Sequence, residues 1–217
     1  MELTIILTTT VKVNNNKSYI FQRDVEERRQ TYVKSILQWL SKTNFKIVLV
    51  ENSGYKFDEL HNEKELYKDR FEVITFIENE VTCAKHLQNN RSKGDSEIFA
   101  IYYAFRNSKL IRKSQDFIIK ITGRYFINEL EEYLSNIDLK KYDCLRQENA
   151  DRCEMVGSAY KNCDHIFNHT IIADNYYGHI ESIWKNRIAE YENVLICKQF
   201  AIEKTQRGGD EYPFYDI

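Results

Sequence analysis

Short, continuous apolar runs alternate along this chain with segments whose apolar residues recur at helical spacing. Strands that are apolar throughout are buried on both faces, and a helix between successive strands is the usual crossover of a parallel sheet. The pattern therefore predicts an α/β fold with a mostly parallel central sheet and helices on both of its faces. The clearest strand runs are residues 4–7, 46–50, 73–77 and 117–121.

The helices between these runs have recognisable capping residues, because Ser, Asp and Asn side chains can bond the free N–H groups of a first turn. After Asp24, apolar residues at helical spacing form a stripe along one helix face that ends near Leu40, and Trp39 is predicted to lie off this stripe. A later stripe includes Trp184 and ends near Tyr191. The predicted caps are Asp24, Asp95 or Ser96, Asn128 and Asp174, and the predicted later strands are 142–146, 154–160 and 194–197.

Composition argues against several broad classes of protein. The 217 residues include 31 Lys and Arg against 33 Asp and Glu, whereas a nucleic-acid binder normally carries a basic face. No apolar run approaches the ~20 residues of a membrane-spanning helix, and no basic region precedes the first apolar run. We expect a single domain in the cytoplasm, without a transmembrane segment and without a nucleic-acid partner.

Cysteine usage agrees with a reducing compartment. The five cysteines are odd in number and widely spaced, and no Cys-x-x-Cys pair occurs. A zinc site from Cys153, Cys163, His165 and His169 is conceivable, but the close ligand pairs of structural zinc sites are absent. Small buried side chains and surface histidines are the favoured interpretation of these four residues.

The first strand ends in Thr8, Thr9 and Thr10 rather than in a glycine-rich loop. A dinucleotide-binding fold would show Gly-x-Gly-x-x-Gly there, and a nucleoside triphosphatase would show Gly-x-x-x-x-Gly-Lys-Ser/Thr. Neither motif occurs, and the signatures of serine hydrolases, zinc peptidases and kinases are missing as well. These absences argue against dehydrogenases and P-loop enzymes.

The fourth strand carries the most informative pattern, because it combines a lysine inside an apolar run with an arginine just beyond a glycine. Burial of Lys120 is costly unless the ammonium group has a partner. Gly123 allows close approach to the backbone, Arg124 offers a bidentate fork for phosphate, and Thr122 adds a hydroxyl group. A diphosphate site is one interpretation, and a strand edge with a surface ion pair is the other.

Two further segments lie where an open α/β sheet binds its ligands, outside the carboxyl ends of the strands. Lys93 and Gly94 open the helix before the fourth strand, and a helix N-terminus favours an anion. Plain helix capping is the competing interpretation. Glu97 lies in the first turn of the same helix. The polar segment 51–53 follows the second strand and could contact a base or a ribose, or form an ordinary turn.

The order of these segments resembles the GT-A fold of nucleotide-sugar-dependent glycosyltransferases, and in particular small enzymes of large DNA viruses and of bacterial surface-polysaccharide clusters. The similarity rests on segments 50–54 and 93–97 and on the run from Lys120 to Tyr125. It implies a nucleotide-sugar-binding half at 1–135 and an acceptor and catalytic half at 136–217. The implied reaction moves a sugar of hexosyl or deoxyhexosyl type from a UDP- or GDP-sugar to a glycan or glycoside hydroxyl.

One departure from that family concerns the metal. GT-A enzymes usually carry Asp-x-Asp after the fourth strand, which holds Mn²⁺ or Mg²⁺ against the diphosphate, whereas residues 122–124 here are Thr-Gly-Arg. Fixed cations such as Lys120 and Arg124 could neutralise the leaving diphosphate instead. Metal-independent transfer is therefore favoured, although Asp143 and Asp151 are further acids that could recruit an ion.

An inverting transferase also needs a carboxylate that takes the proton of the acceptor hydroxyl. The family often places this base late in the chain, so Asp210, which follows a Gly-Gly pair, is the first candidate, with Glu211 and Glu181 behind it. Glu97 is the second candidate for a catalytic role. A solvated tail residue is the competing interpretation of Asp210, and retaining chemistry stays open.

The predicted function is therefore sugar transfer from a nucleoside diphosphate donor. Two rivals remain. A sugar-phosphate nucleotidyltransferase would need a glycine-rich loop with an arginine after the first strand, and a non-catalytic sugar-nucleotide or glycan-binding module would release no free nucleoside diphosphate. The predicted donor-binding residues are Thr8, Thr9, Thr10, Glu51, Asn52, Ser53, Lys93, Gly94, Lys120, Thr122, Gly123, Arg124 and Tyr125.

Overall fold

A computed structural model describes residues 2–87, 90–111, 116–170, 179–209 and 211–217. The strands are β1 (Leu3–Thr9), β2 (Lys46–Glu51), β3 (Phe71–Thr75), β4 (Phe117–Thr122), β5 (Cys144–Gln147), β6 (Met155–Ala159), β7 (Val194–Cys197), β8 (Ala201–Gln206) and β9 (Pro213–Asp216). The α-helices are α1 (Val25–Lys42), α2 (His61–Leu66), α3 (Lys93–Asn107), α4 (Leu130–Ser135), α5 (Cys163–Ile166) and α6 (Ile180–Ile188). Short 3-10 turns occupy Asp58–Leu60, Glu78–Glu80, Thr82–Leu87, Leu139–Lys141 and Tyr160–Asn162.

Seven of the strands form one sheet in the order β3-β2-β1-β4-β6-β5-β7. Strand β1, inside the sheet, pairs in parallel with β2 and β4, and the pairs β2–β3 and β5–β7 are parallel as well. Strand β6 runs antiparallel between β4 and β5. The predicted α/β class with a mostly parallel sheet is confirmed, and both 1–135 and 136–217 contribute strands to this sheet.

Alternate residues of each strand face opposite sides of the sheet, as the two-residue period of a strand requires. Ile5 and Leu7 pack with α1 on one side, whereas Ile6 and Ile118 pack with α3 and α6 on the other. Helices therefore cover both faces, which is why the inner strands are largely apolar. No helix in the described parts of the chain is both long enough and apolar enough to cross a bilayer.

Trp39 belongs to the core, so the prediction that it lies off the stripe of α1 is wrong. Its side chain is fully buried, and its indole Nε1 donates a hydrogen bond of 2.9 Å to the carbonyl of Tyr125. Its ring also meets the ring of Phe126 edge-on, with centroids 5.0 Å apart. Trp39 lies seven residues after Tyr32 and three after Ile36, so helical spacing in fact places it on the same buried face as these two residues. Trp184 is buried on α6, as predicted.

Capping chemistry sets the starts of the two long helices. Asp24 caps α1 as predicted, and its carboxylate accepts a hydrogen bond of 2.8 Å from the backbone N–H of Glu27. Helix α3 begins earlier than predicted because Ser92, and not Asp95 or Ser96, is its N-cap. The hydroxyl of Ser92 accepts from the backbone N–H of Asp95 at 3.2 Å.

Other boundaries differ from the prediction by a few residues. Strand β3 occupies Phe71–Thr75 rather than 73–77, because its pairing with β2 fixes the register. The helix predicted from residue 128 begins at Leu130. Helix α6 ends at Ile188, before Tyr191, and its predicted cap, Asp174, lies outside the described residues.

The final hairpin, β8–β9, has no counterpart in the sequence prediction. Polar contacts anchor it: the guanidinium of Arg152 lies 2.8 Å from Asp216 and 5.2 Å from the ring centroid of Phe214. Arg207 also packs on the ring of Phe214, at 4.7 Å, and lies 2.6 Å from Oε1 of Glu154. Because the strands of this hairpin are mostly exposed or half-buried and long-range arginine contacts help to attach it, hydrophobic periodicity does not indicate it.

Candidate functional site

The carboxyl ends of β1, β2 and β4 meet at one edge of the sheet and open into a cavity of about 340 Å³. The register places Thr8 beside Thr122 of β4, and Thr9 beside Glu51 of β2, so the three strand ends lie level. A cavity of this size can hold a small-molecule ligand. The predicted site residues that line it are Thr8, Thr9, Thr10, Asn52, Ser53, Lys93, Glu97, Thr122 and Arg124.

The remaining predicted donor-binding residues do not line this cavity. Each of them has contacts within the protein that account for its residue type. They are Glu51, Gly94, Lys120, Gly123 and Tyr125.

Lys120 is fully buried on the α3 side of the sheet, because it shares a strand face with Ile118. Its Nζ lies 2.7 Å from Oε1 of Glu97. It also donates to the carbonyl of Cys153 at 2.7 Å and to the hydroxyl of Thr122 at 3.1 Å. The ammonium group thus has the partner that burial requires, and that partner is a carboxylate of the protein. The expectation that Lys120 contacts a diphosphate directly does not fit this position.

The same ion pair keeps Glu97 ionised at the cavity wall. Burial alone would raise the pKa of Glu97, but the charge and hydrogen bond of Lys120 outweigh this, so the pKa is lowered. Burial alone would lower the pKa of Lys120, whereas Glu97 raises it above its ordinary value. The hydroxyl of Thr8 donates to Oε1 of Glu97 at 2.9 Å. Because the Glu97 side chain is still 24 % exposed, a carboxylate faces the cavity.

Glu51 holds together the loops that follow β1 and β2. Its fully buried carboxylate accepts hydrogen bonds from the backbone N–H groups of Val11, Ser53 and Tyr55 at 2.8 to 2.9 Å, and from the hydroxyl of Ser53. Burial raises its pKa, and these hydrogen bonds oppose that shift. The geometry therefore gives Glu51 a role in loop structure, beneath the residues that face the cavity.

A second buried ion pair, Lys17–Glu78, lines the cavity and is absent from the sequence prediction. The two charged groups are 3.4 Å apart, and Glu78 also accepts from the Ser96 hydroxyl at 2.9 Å and from Nδ2 of Asn52 at 3.2 Å. Thr10 in turn donates to Oδ1 of Asn52 at 2.6 Å. This network connects the loop after β1 with the turn after β3 and with α3.

Gly123 and Gly94 permit close packing inside the protein. A Cβ atom at position 123 would lie 2.7 Å from the carbonyl oxygen of Thr8, to which the N–H of Gly123 donates at 2.9 Å. A Cβ atom at position 94 would lie 2.9 Å from the Cβ of Ile180, where α3 meets α6. Tyr125 is buried in the core cluster under α1.

Arg124 reaches the cavity from the turn after β4 and is only 7 % exposed. Its Nη1 donates to the carbonyl of Gln206 at 3.0 Å and to the side-chain oxygen of Gln22 at 3.3 Å. Its Nη2 donates to the hydroxyl of Tyr32 at 3.2 Å. A Cβ atom at Gly208 would lie 2.8 Å from Nη2, so the turn after β8 packs directly on this guanidinium.

Arg28 is a second buried arginine of the cavity, and the sequence prediction missed it. It lies on α1 one turn before Tyr32, donates to the Tyr32 hydroxyl at 2.9 Å, and donates through Nε to the carbonyl of Thr10 at 2.7 Å. A charged residue within the apolar stripe of a helix is the signal that could have identified it.

Lys93 lines the cavity from the first turn of α3. Burial and the neighbouring Arg207 lower the pKa of Lys93, and the carboxylates of Glu97 and Glu181 oppose this. The Lys93 ammonium group packs against Gly209 so closely that a Cβ atom at position 209 would collide with it. The turn after β8 therefore touches both Lys93 and Arg124.

Of the late carboxylates considered as bases, Glu181 and Glu211 do not line the cavity. Asp210 lies outside the described residues. Glu181, at the start of α6, accepts from the thiol of Cys153 at 3.3 Å, and Glu211 is exposed. Of the carboxylates in the described chain, Glu78 and Glu97 are those that line the cavity.

The described residues that line the cavity do not fit a resident Mn²⁺ or Mg²⁺ ion. Mg²⁺ in phosphate-binding sites is held by one or two carboxylates together with waters and substrate phosphates, whereas Glu78 and Glu97 each already pair with a lysine. Asp143 and Asp151 form ion pairs of 2.8 Å with Lys161 and Lys185. Within the described ranges, no three His, Cys, Asp or Glu side chains come together as a metal site, so the four residues considered for zinc do not form one either.

Comparisons with known proteins bear on the fold. No protein-family model and no curated protein sequence matches the chain. Among solved structures, the chain is similar to a protein of Desulfovibrio desulfuricans described as a nucleotide-diphospho-sugar transferase, at 15% identity and a TM-score of 0.50, over 91% of this chain and 80% of that chain. It is also similar to the apo form of the glycosyltransferase GlyE of Streptococcus pneumoniae, at 10% identity and a TM-score of 0.53.

The alignment with GlyE covers 90% of this chain but only 45% of that protein, so the chain spans less than half of its length. The fold of this chain is that of nucleotide-diphospho-sugar transferases. The GT-A fold expected from the sequence is confirmed.

Proposed function

We propose that the chain transfers a sugar from a nucleoside diphosphate donor to a hydroxyl group of a glycan or glycoside. One observation carries the proposal: Arg124 is a buried guanidinium that faces a cavity of ligand size and has no carboxylate partner among the described residues. A buried charge without a counter-ion is costly, so the arrangement favours an anionic ligand. The similarity of fold to sugar-nucleotide transferases supports the same reaction class.

The charge balance of the cavity wall supports an anionic ligand as well. Among the residues that the structure describes, five cationic side chains line the cavity against two carboxylates. Both carboxylates, Glu78 and Glu97, pair with lysines. The cationic residues are Lys12, Lys17, Arg28, Lys93 and Arg124.

Transfer forms a bond between the acceptor oxygen and the anomeric carbon of the sugar. It breaks the bond from that carbon to the diphosphate, which leaves with the electron pair. Arg124 and Lys93 stabilise the charge that develops on the diphosphate. Asn52 and Ser53 contact the nucleoside, and the ionised Glu97 accepts a hydrogen bond from a substrate hydroxyl.

The proton of the acceptor hydroxyl passes to a carboxylate base in the inverting form of this reaction. Asp210 stays the first candidate because it follows the turn that touches Lys93 and Arg124, with Glu211 and Glu181 as alternatives. The UDP or GDP identity of the donor, and a hexosyl or deoxyhexosyl group, belong to this proposal as expectations from the sequence.

The acceptor is expected in an open depression that shares Lys17 with the cavity. Its wall includes Asn15, Asn16 and Tyr19, whose amide and hydroxyl groups suit sugar hydroxyls. The ring of Tyr19 is exposed and can stack on a sugar face, and its backbone carbonyl lies 3.5 Å from Nζ of Lys93. A glycan of a viral or bacterial surface, modified in the cytoplasm, is the acceptor that the sequence resemblance favours.

A panel of nucleotide sugars, tested by thermal shift and then by calorimetry, examines the donor site. We expect a UDP- or GDP-sugar to raise the melting temperature, because a ligand that binds only the folded state stabilises it. Arg124→Ala should weaken the binding of that donor about 10- to 150-fold, the loss of one charge-assisted hydrogen-bonded group. Arg124→Lys keeps the positive charge but loses the bidentate guanidinium group. Its affinity for the donor should therefore lie between those of the wild type and Arg124→Ala. Arg106→Ala is the matched control, because Arg106 forms an exposed ion pair with Asp164 outside the cavity.

Release of nucleoside diphosphate separates the candidate functions. A transferase should release it slowly from the bound donor without an acceptor and faster with one. A binding module would bind the donor and release none. A nucleotidyltransferase would instead form a nucleotide sugar from a nucleoside triphosphate and a sugar phosphate. Unchanged donor affinity in Arg124→Ala would remove Arg124 from the site.

A further inference from the structure

Two buried arginines of the cavity lack the carboxylate partner that the buried lysines have. Arg28 and Arg124 are 5 % and 7 % exposed, and neither has a carboxylate within ion-pair distance in the described parts of the chain. The buried lysines differ, since Lys17 pairs with Glu78 and Lys120 pairs with Glu97. The uncompensated positive charge of the site is therefore concentrated at Arg28 and Arg124.

Both guanidinium groups point at one oxygen atom. Nη2 of Arg28 donates to the hydroxyl oxygen of Tyr32 at 2.9 Å, and Nη2 of Arg124 donates to it at 3.2 Å. The Tyr32 ring is 3 % exposed and lines the cavity. A neutral phenol also needs an acceptor for its own proton, and among the described residues its oxygen has donors around it and no acceptor. This is the environment of a phenolate.

The electrostatics agree with that geometry. Burial alone would raise the pKa of Tyr32, but the charges of Arg28 and Arg124 outweigh it, and a backbone hydrogen bond from Thr10 acts in the same direction, so the pKa is lowered. The opposing carboxylate is Glu51, at the end of β2. Charged groups therefore act on the phenol from α1, from the turn after β4 and from β2, and the two cations dominate.

We infer that Arg28, Tyr32 and Arg124 form an anion site in which the Tyr32 phenolate is the resident counter-ion, and that a bound diphosphate replaces it in this role while Tyr32 takes up one proton. The inference rests on the proposed function for the identity of the anion. The proton comes from solvent, and no covalent bond changes. Two or more negative charges beside the arginines disfavour a second anion there, which is why the phenolate becomes a neutral phenol on binding.

Proton uptake makes the affinity for diphosphate depend on pH. Above the pKa that Tyr32 has in the ligand-free protein, each pH unit should lower the affinity about tenfold, the slope for one linked proton. In Tyr32→Phe this dependence should be lost, because phenylalanine has no proton to exchange.

Near-ultraviolet difference spectroscopy tests the ligand-free state. One of the fifteen tyrosines of the chain should absorb as tyrosinate at a pH well below the ordinary tyrosine pKa of about 10. That band should be absent from Tyr32→Phe. It should remain in Tyr67→Phe, a matched control whose ring also packs against an arginine, with Cζ of Arg70 at 4.5 Å from the centroid.

Titration with inorganic pyrophosphate and with UDP tests the ligand-bound state of the wild-type chain. The tyrosinate band should disappear, and calorimetry in buffers of different ionisation enthalpy should show uptake of one proton per chain. An ordinary titration of all tyrosines, or binding without proton uptake, would overturn the inference even if nucleotide sugars are turned over. If pyrophosphate removes the band but no nucleotide sugar is bound or turned over, the anion site stands and the proposed function fails.

Discussion

The ammonium group of Lys120 lies 2.7 Å from Oε1 of Glu97, at the point where β1, β4 and α3 converge on the cavity. The hydroxyl of Thr8 donates to the same carboxylate oxygen from β1 at 2.9 Å, and that of Thr122 does so from β4 at 3.4 Å. One carboxylate oxygen thus connects three elements of the fold. The pair serves stability and fixes the charge of the cavity wall at the same time.

Removal of one member of this pair should destabilise the protein strongly. Glu97→Gln leaves the buried charge of Lys120 without a carboxylate, and the free energy of unfolding should fall by about 3–5 kcal/mol. Urea unfolding followed by circular dichroism measures the change. Glu203→Gln, in an exposed pair with Lys34, should change stability by less than about 1 kcal/mol. The double variant Glu97→Gln/Lys120→Met should recover much of the loss, and equal stability of wild type and Glu97→Gln would contradict this account.

The pair should also make stability depend on pH. The pKa of Glu97 is lowered in the folded state, so its contribution is present above its ordinary value of 4.5 and is lost as the pH falls toward the folded value. The pKa of Lys120 is raised, so its contribution is lost only as the pH rises past its folded value. Below pH 4.5 the urea midpoint should therefore fall more steeply for the wild type than for Glu97→Gln/Lys120→Met. Parallel acid curves for the two proteins would show that the pair has no such role.

Substitution by alanine should have different effects at the two glycines beside Arg124. Gly123→Ala places a Cβ atom against the backbone of Thr8, which cannot move without the strand, so stability should fall by about 1–3 kcal/mol. Gly208→Ala meets the end of the Arg124 side chain, which can shift. We expect Gly208→Ala to keep most of its stability and to bind the donor more weakly. Thermal unfolding and donor calorimetry separate the two effects, and a Gly123→Ala protein as stable as wild type would be the contrary result.

Chelation should leave the transfer reaction largely intact. The turn at 122–124 offers Arg124 where an acidic pair would hold a metal, and the cavity carboxylates already pair with lysines. Rates of nucleoside diphosphate release with EDTA, and after addition of Mn²⁺, measure the effect. If EDTA abolishes the release of nucleoside diphosphate and Mn²⁺ restores it, acidic residues of the chain, Asp210 among them, hold a metal ion after all.

Hydrophobic periodicity predicts the central sheet of this protein because its strands are buried on both faces. The runs 46–50 and 117–121 agree with β2 and β4 to within one residue. The β8–β9 hairpin is different, since Arg152 and Arg207 attach it through long-range polar contacts that leave no local pattern.

The candidate site is predictable in position but less so in detail. The strand-end rule places Thr8, Asn52 and Arg124 at one edge of the sheet, and the structure brings them to one cavity. The partner of Lys120 depends on which helix covers its strand face, and a single sequence does not specify that helix. Arg28 differs from Lys120, because its helix is predicted correctly from the sequence. The sequence also places Arg28 within the apolar stripe of that helix, but the prediction took no account of this.

The position of β1 between β2 and β4 affects how the chain folds. One neighbour, β2, follows closely in sequence, but the other, β4, is separated from β1 by most of the first half of the chain. Joining such distant segments requires a large loss of chain entropy before the contacts form, which slows folding. Until then the edge of β1 that later pairs with β4 is unpaired and open to other chains, so this topology favours self-association during refolding.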